Sequence, residues 1–223
     1  MDSANNTEQE ASKDTLGKII EMQINSIKWS DYETAYGNAD PKIPTALKMI
    51  LSDNQEAAKK AVNELWASLC HQHAYISSAA LPSYGILKTA LMNVNSDLKV
   101  EILDIINGFA HCSIYSVLEH EGWELDLRVL LLKDVDIYRN LRKDPDDDIA
   151  YFADSIFDNL TKGVIKQIRT GIAGNLLKRN MPIKDIMTDT GVSRQDIKDI
   201  MEWHIFESHF NSYVATVDEQ TDC

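Results

Sequence analysis

The sequence predicts an all-α protein: a short solenoid, or α-α superhelix, of stacked helical hairpins closed by a C-terminal hairpin cap. The chain has only 5 Pro and 9 Gly among 223 residues, and the period-2 alternation typical of strands is rare. A short polar turn followed by a helix with one apolar face occurs three times, at residues 51–66, 92–106 and 143–157, and we call this segment the repeated phrase. One such unit cannot bury its apolar face alone, so neighbouring units are expected to stack.

The spacing of the repeated phrase, together with the positions of capping and helix-breaking residues, predicts where the individual helices lie. The first two copies lie about 41 residues apart and the third about 50 residues further on, against roughly 40–47 for common two-helix repeats. Asn54 and Ser96 are the expected caps of two helices, and Gly122 is the expected break in another. The predicted helices cover about residues 15–27, 41–51, 55–70, 82–91, 97–109, 113–141, 145–158, 162–179, 182–188 and 194–211.

Composition and charge narrow the class of protein. No run of 18 apolar residues exists, and the start lacks a secretory signal, so we expect a cytoplasmic chain without a membrane span. An odd count of three cysteines without motif spacing fits reduced thiols. The net charge of −13 opposes nucleic-acid binding overall and favours basic partners, although plain solubility also explains it.

Two motifs carry a resemblance to a known family. Residues 144–153 read Asp-Pro-Asp-Asp-Asp-Ile-Ala-Tyr-Phe-Ala, and residues 29–37 read Trp-Ser-Asp-Tyr-Glu-Thr-Ala-Tyr-Gly. With these motifs, residues 29–160 resemble bacterial HEAT-like repeat proteins, although Ala150 stands where that family has a basic residue. The resemblance implies a helical-repeat fold and a binding role. Together with composition, this predicts an acidic disordered lead-in (1–14), HEAT-like helical repeats (15–160) and C-terminal helices that cap the solenoid (161–223), in the same domain or closely packed against it.

A group of cysteines and histidines is the first candidate site. Cys70, His71 and His73 lie close together in the sequence, and His111 is followed by Cys112. Two such pairs on adjacent repeats could meet and bind zinc in a metal-dependent enzyme, but the usual ligand spacings are absent. The alternative is that the cysteines are small core residues and the histidines bond across a turn. We expect no cofactor and no metal.

A basic stretch near the C-terminus supports a second hypothesis. No carboxylate occurs from Asn159 to Lys184, whereas six cations accumulate: Lys162, Lys166, Arg169, Lys178, Arg179 and Lys184. Residues 181–200 also have the sequence pattern of a helix-turn-helix, in which Gly191 forms the turn and Ser193 caps the second helix. Residues 181–202 carry three cations against five carboxylates, which opposes phosphate contact and favours a capping hairpin.

The leading hypothesis is a non-enzymatic binding protein, in its concrete form a bacterial immunity protein that neutralises a basic toxin domain. The sequence has no Gly-x-Ser-x-Gly, no phosphate-binding Gly-rich loop and no His-Glu-x-x-His motif. The alternative is a nucleic-acid-binding regulator or HEAT-like repair enzyme that uses the 162–184 stretch. Aromatic residues, alone or amid carboxylates, are the candidate partner-binding residues: Trp123 with Glu119, Glu121 and Glu124, and Trp29, Tyr32 and Tyr36.

Overall fold

The computed structural model describes residues 16–114 and 122–202, and these residues are mainly helical. The all-α prediction is therefore confirmed for this part of the chain. The chain divides into two compact units, one ending at Thr161 and the other beginning at Lys162. Among the described residues, no helix combines the length and the apolar character needed to cross a membrane. The predicted lead-in at residues 1–14 lies outside the described residues.

The described part of the first unit contains helices α1 to α8 and two short 3₁₀ turns, Trp29–Asp31 and His71–His73. Their order agrees with the sequence prediction. The helices are α1 at residues 16–25, α2 Lys42–Met49, α3 Gln55–Leu69, α4 Ala80–Leu91, α5 Ser96–Cys112, α6 Gly122–Lys133, α7 Val135–Leu141 and α8 Asp147–Thr161.

The helices of the first unit pack in two rows. Helices α3, α5 and α8 lie side by side in one row, and α2, α4 and α6 form the other. Helix α2 also packs on α3, α4 on α5, and α7 on α8. The repeated phrase of the sequence thus begins the three helices of a single row, and their apolar faces share one core.

The three phrase helices begin with the same hydrogen bond. Asn54 Oδ1 accepts from the Ala57 N–H at 3.1 Å, and Asn95 Oδ1 accepts from the Leu98 N–H at 3.1 Å. Asp146 Oδ1 accepts from the N–H three residues later, on Ile149, at 3.3 Å. These side chains satisfy backbone donors that a helix start leaves without partners. The prediction for Asn54 is confirmed, whereas that for Ser96 is wrong, because Asn95 is the extended residue that caps α5.

A small antiparallel hairpin was not predicted. Glu33–Thr34 pairs with Gly37–Asn38 across the two-residue turn Ala35-Tyr36, within the segment interpreted as an aromatic connector. Two-residue strands show no alternation, so the pattern had nothing to indicate them. Backbone bonds tie the hairpin to the helices: the Ala35 N–H donates to Ser68 O, and the Ala79 N–H donates to Glu33 O.

A buried arginine joins the ends of α5 and α8. Arg128 of α6 is 1% exposed, and its guanidinium donates to Ala110 O at 3.1 Å and to Asn159 O at 2.8 Å. These carbonyls belong to the last turns of α5 and α8, where the helix supplies no donor and its dipole is negative. Burial lowers the pKa of Arg128. Nothing in the sequence distinguished this arginine from a surface one.

The described part of the second unit contains α9 Gly163–Lys178, α10 Ile183–Thr190 and α11 at residues 194–202. Gly191, with φ of 69°, ends α10, and Ser193 Oγ accepts from the Asp196 N–H at 3.1 Å. The predicted turn and cap are therefore confirmed. Residues 203–211 of the predicted last helix lie outside the described residues. Five buried apolar residues form the core of this unit: Ala173, Ile186, Val192, Ile197 and Ile200.

Candidate functional site

The tip of the small hairpin presents one exposed aromatic side chain, Tyr36. The Thr34 hydroxyl donates to Gly37 O at 2.8 Å and accepts from the Tyr36 N–H at 3.1 Å, so the turn is braced from inside. Gly37 has φ of 106°, a conformation that glycine adopts without steric cost. Tyr36 is 61% exposed although its backbone is fixed to the fold.

Three rings form a continuous surface feature, which we call the aromatic ridge: Tyr36, His71 and Tyr75. The His71 ring lies 5.7 Å from the Tyr36 ring and 5.4 Å from the Tyr75 ring. The Tyr36 hydroxyl lies 3.3 Å from His71 Nδ1. Tyr75 is 46% exposed. Exposed tyrosines held by a rigid backbone are typical anchors of protein interfaces.

A lysine already uses one ring of the ridge. The Lys42 ammonium lies 5.0 Å from the centroid of the Tyr36 ring and forms an ion pair with Glu64. The hydrogen bond from Lys42 lowers the pKa of Glu64, and a further bond from Ser68 acts in the same direction. The ring of Tyr36 therefore already has the cation of Lys42 above it at this surface.

His73, the neighbour of the ridge, lies in a socket made by α3 and α5. Its Nε2 donates to Asp104 O at 3.1 Å and to Asp104 Oδ1 at 3.2 Å. Its ring lies 6.3 Å from that of Trp66, and a Cβ on Gly108 would stand 2.8 Å from His73 Cδ2. The hydrogen bond to Asp104 raises the pKa of His73.

The structure does bring together the cysteines and histidines that the sequence singled out. Cys70 and Cys112 are buried, and the Cys112 thiol donates to His73 O at 3.3 Å. Burial raises the pKa of Cys70, and it raises that of Cys112 to about 11, so both remain neutral thiols near pH 7. In the described stretches, no three Cys, His, Asp or Glu side chains are arranged to hold a metal ion. This geometry corresponds to the packing interpretation of the cysteines.

A polar seam continues from this socket between α5 and α8. We define it by Asn107, His111, Ser155 and Asn159. Asn107 Oδ1 accepts from Ser155 Oγ at 2.8 Å and from Asn159 Nδ2 at 3.2 Å. Burial and the charge of the nearby His73 lower the pKa of His111, while a hydrogen bond with Asn159 opposes them.

Of the other predicted partner-binding residues, those within the described part of the chain are all at least partly buried. Trp29 is 5% exposed, and its Nε1 donates to Ile24 O at 2.9 Å, which fixes the end of α1. Tyr32 and Trp123 are partly buried against the same core. Glu124 is partly buried and its charge acts on Cys112. Glu119 and Glu121 lie outside the described residues.

Two members of the ridge were not predicted as partner-binding residues. His71 was considered only as a ligand or a turn residue, and Tyr75 was not named as a candidate. Their adjacency to Tyr36 depends on a hairpin 35 residues away in the chain. The available signal was an aromatic residue in a polar turn, which does not reveal exposure by itself.

The basic stretch of the second unit is exposed. Its six cations all lie on the surface of the unit. Lys166 pairs with Asp196 at 3.3 Å, and Arg169 Nη1 would lie 3.7 Å from a Cβ on Gly191. Two cations of this helical face therefore lie beside the turn between α10 and α11.

Comparison with protein-family models, with curated proteins and with solved structures finds no match to this chain. The interpretation of the site therefore depends on its geometry.

Proposed function

We propose that this protein is a non-enzymatic, protein-binding helical-repeat protein of the HEAT-like type. The support for the repeat architecture is threefold. The phrase helices α3, α5 and α8 lie in one row, each begins with the same capping bond, and α2, α4 and α7 pack on them in turn. Repeats of this kind form extended surfaces that hold other macromolecules.

The single observation that carries the binding role is the aromatic ridge. Tyr36 and Tyr75 expose large aromatic surface at a position where the fold gains nothing from leaving it in water. The hairpin holds Tyr36, and the socket of His73 holds the turn that bears His71. Such preorganisation reduces the entropy that a partner must remove on binding.

The charge of the first unit favours a basic partner. Residues 16–114 and 122–161 contain 13 Lys and Arg against 20 Asp and Glu, a net charge of −7. Complementary charge accelerates association and selects against acidic partners. We therefore propose an immunity protein that captures a basic toxin domain in the cytoplasm.

Affinity measurements with basic toxin-like domains encoded beside this gene test the proposal. We expect a dissociation constant of about 1 nM for the cognate domain and a loss of roughly 30-fold for Tyr36→Ala or Tyr75→Ala. Tyr151→Ala is the matched control, because Tyr151 is 68% exposed in the same unit but does not belong to the ridge. Absence of a tight partner, or equal losses from all three variants, contradicts the proposal.

A second candidate function is nucleic-acid binding by the second unit. Residues 162–202 contain eight cations against five carboxylates, a net charge of +3, and α10 and α11 form a helix-turn-helix. Fluorescence anisotropy with labelled DNA and RNA at several salt concentrations tests it. If this candidate is correct, Lys166→Ala and Arg169→Ala each reduce the salt slope by about 1. Binding that is absent at low salt eliminates it.

A further inference from the structure

The turn His71–His73 has a backbone conformation that needs support from its surroundings. His73 has φ of 58°, in the left-handed region that non-glycine residues seldom adopt. Its N–H donates to Cys70 O at 2.7 Å, and its carbonyl accepts from the Cys112 thiol. Its Nε2–H reaches across to α5 and donates to the backbone carbonyl of Asp104 and to Asp104 Oδ1. His73 thus closes the turn onto the residue that follows α3 through its N–H, and it ties the turn to α5 through both its carbonyl and its ring.

The turn also determines the shape of the ridge. His71 and Tyr75 lie two residues to either side of His73, and the ring of His71 fits between the rings of Tyr36 and Tyr75. A turn that detaches from α5 carries His71 and Tyr75 with it, whereas Tyr36 stays on its hairpin. The three-ring surface of the ridge therefore depends on the position of this turn.

We propose that the ion pair of His73 with Asp104 is a latch that holds the aromatic ridge in its binding shape, and that the latch weakens when His73 loses its proton. The value of the latch to the protein rests on the proposed function of the ridge. The latch itself is a property of the first unit and can be measured without a partner.

Among the charged and titratable groups around His73, Asp104 favours the protonated imidazole, while burial of the ring opposes it. Helix α5 contributes Asp104, His111 and Cys112, the residue that follows α3 is Cys70, and the turn itself contributes His71. Asp104 is the carboxylate of this set, and both thiols stay neutral. Burial is the main cause of the lowered pKa of His111, and positive charge on His73 lowers it further. The pKa of His73 is raised above its ordinary value of 6.5.

The sign of the pH dependence follows from linkage. A group with a raised folded-state pKa contributes stability that is complete below its unfolded value and disappears as the pH rises through the folded value. The latch is therefore closed below pH 6.5 and weakens above the folded pKa of His73. The Nε2–H bond to Asp104 can persist in the neutral ring, so weakening rather than complete opening is expected.

NMR on the full chain tests the latch with two readouts: the titration of the His73 ring and the exchange of two amides. The amides of His73 and Ser77 donate to Cys70 O and Leu69 O, so their exchange, corrected for intrinsic rates, reports opening of the turn. Asp104→Asn keeps an oxygen acceptor but removes the charge. Asp97→Asn is the matched control, because Asp97 pairs with Lys59 near the other end of α5.

We expect a His73 pKa above 6.5 in the wild type and a lower one in Asp104→Asn. At about pH 6, each pKa unit lost corresponds to about tenfold more opening at the two amides. Asp97→Asn should leave the His73 pKa and both amides unchanged. At a pH above the folded-state pKa of His73, the exchange rates of the two amides in the wild type should approach those in Asp104→Asn.

A wild-type His73 pKa at or below 6.5, or equal exchange in Asp104→Asn and Asp97→Asn, overturns the latch. If Asp104→Asn does not fold, the wild type alone decides: amide protection that is constant from about pH 5.5 to about pH 8.5 overturns it. Losses of partner affinity in Tyr36→Ala and Tyr75→Ala without any latch effect would retain the proposed function and reject the latch. A change in the His73 pKa and in amide exchange, found together with no tight protein partner, would retain the latch and reject the proposed function.

Discussion

The two units of this protein hold polar groups in different ways. The first unit has a core of 36 buried apolar residues and a net charge of −7 in its described part, whereas the second has five such residues and a net charge of +3. The first unit buries Arg128 and the hydroxyl pair Tyr84–Tyr138, whose oxygens lie 2.9 Å apart. In the described second unit the buried polar residue is Thr190, bonded within its own helix.

This difference shows what a large core permits. In the first unit, polar side chains bond between elements far apart in the sequence: Tyr84 and Lys88 of α4 both donate to Asp134 Oδ2, at 3.0 and 2.8 Å. In the second unit, the capping box of Ser193 and Asp196 works within four residues. Long-range polar networks should therefore dominate the polar contribution to stability in the first unit, and local caps in the second.

The largest expected effect comes from Arg128→Met. The change leaves carbonyl groups at the ends of α5 and α8 buried without a donor, and we expect a loss of about 3–5 kcal/mol in the first unit. Denaturant unfolding followed by circular dichroism measures it. Arg139→Met is the control, because Arg139 is exposed and its pair with Asp136 is worth about 0–1 kcal/mol. Similar losses in both variants would contradict the role assigned to Arg128.

The second expected effect lies in the small core of the second unit. Ile186→Ala removes a fully buried side chain, and we expect a loss of about 2–4 kcal/mol for that unit. Protection of the α10 amides against hydrogen exchange measures it, with Ile186→Val as the milder control at about 0.5–1.5 kcal/mol. Unchanged protection in Ile186→Ala would show that this core does not hold α10.

A third, smaller effect tests the equivalence of the repeated caps. Asn54→Ala and Asn95→Ala should each cost about 1 kcal/mol, because each change leaves a helix start without its side-chain acceptor. Asn63→Ala is the control, since Asn63 is exposed within α3. The measurement is the free energy of unfolding from urea titrations. A much larger loss for one cap than for the other would break the equivalence of the repeats.

The smallest effect compares the pH dependence of the two units. Hydrogen bonds from Ser193 lower the pKa of Asp196 below its ordinary value of 3.8. Its contribution, no more than about 1 kcal/mol, is present above that value and is lost as the pH falls through the folded pKa. The sign is opposite to that of His73. Hydrogen exchange of the α11 amides below about pH 4 measures this loss in the wild type and in Asp196→Asn. An equal loss of protection in the two proteins as the pH falls would contradict the role of Asp196.

Much of the fold was predictable because its signals are local. Asn54, Ser193 and Gly191 act on backbone groups within four residues, so the sequence shows both partners of each interaction. The cap of α5 was misassigned by one residue because Asn95 and Ser96 are both good caps and only the backbone conformation selects between them. The two-residue strands lay below the length at which alternation can be seen.

The candidate site was only partly predictable. The sequence indicated Tyr36 as a binding residue, and it grouped His71, His73, His111, Cys70 and Cys112 by type. It did not indicate that His73 pairs with Asp104, 31 residues away, or that Trp29 is buried while Tyr75 is exposed. Aromatic residues suit cores and interfaces equally well, so their type alone does not determine their exposure.

The sequence by itself determined that the described residues are mainly helical, where the repeated helices begin to within one residue, and that cations accumulate in residues 162–184, because propensity, capping and charge are local properties. The tertiary structure decided which rings meet in the aromatic ridge, that Arg128 joins α5 to α8, and that His73 lies in a socket formed with α3 and α5. Those features depend on the packing of helices distant in the chain, and side-chain patterns within one helix do not specify which surface of its neighbour they will meet.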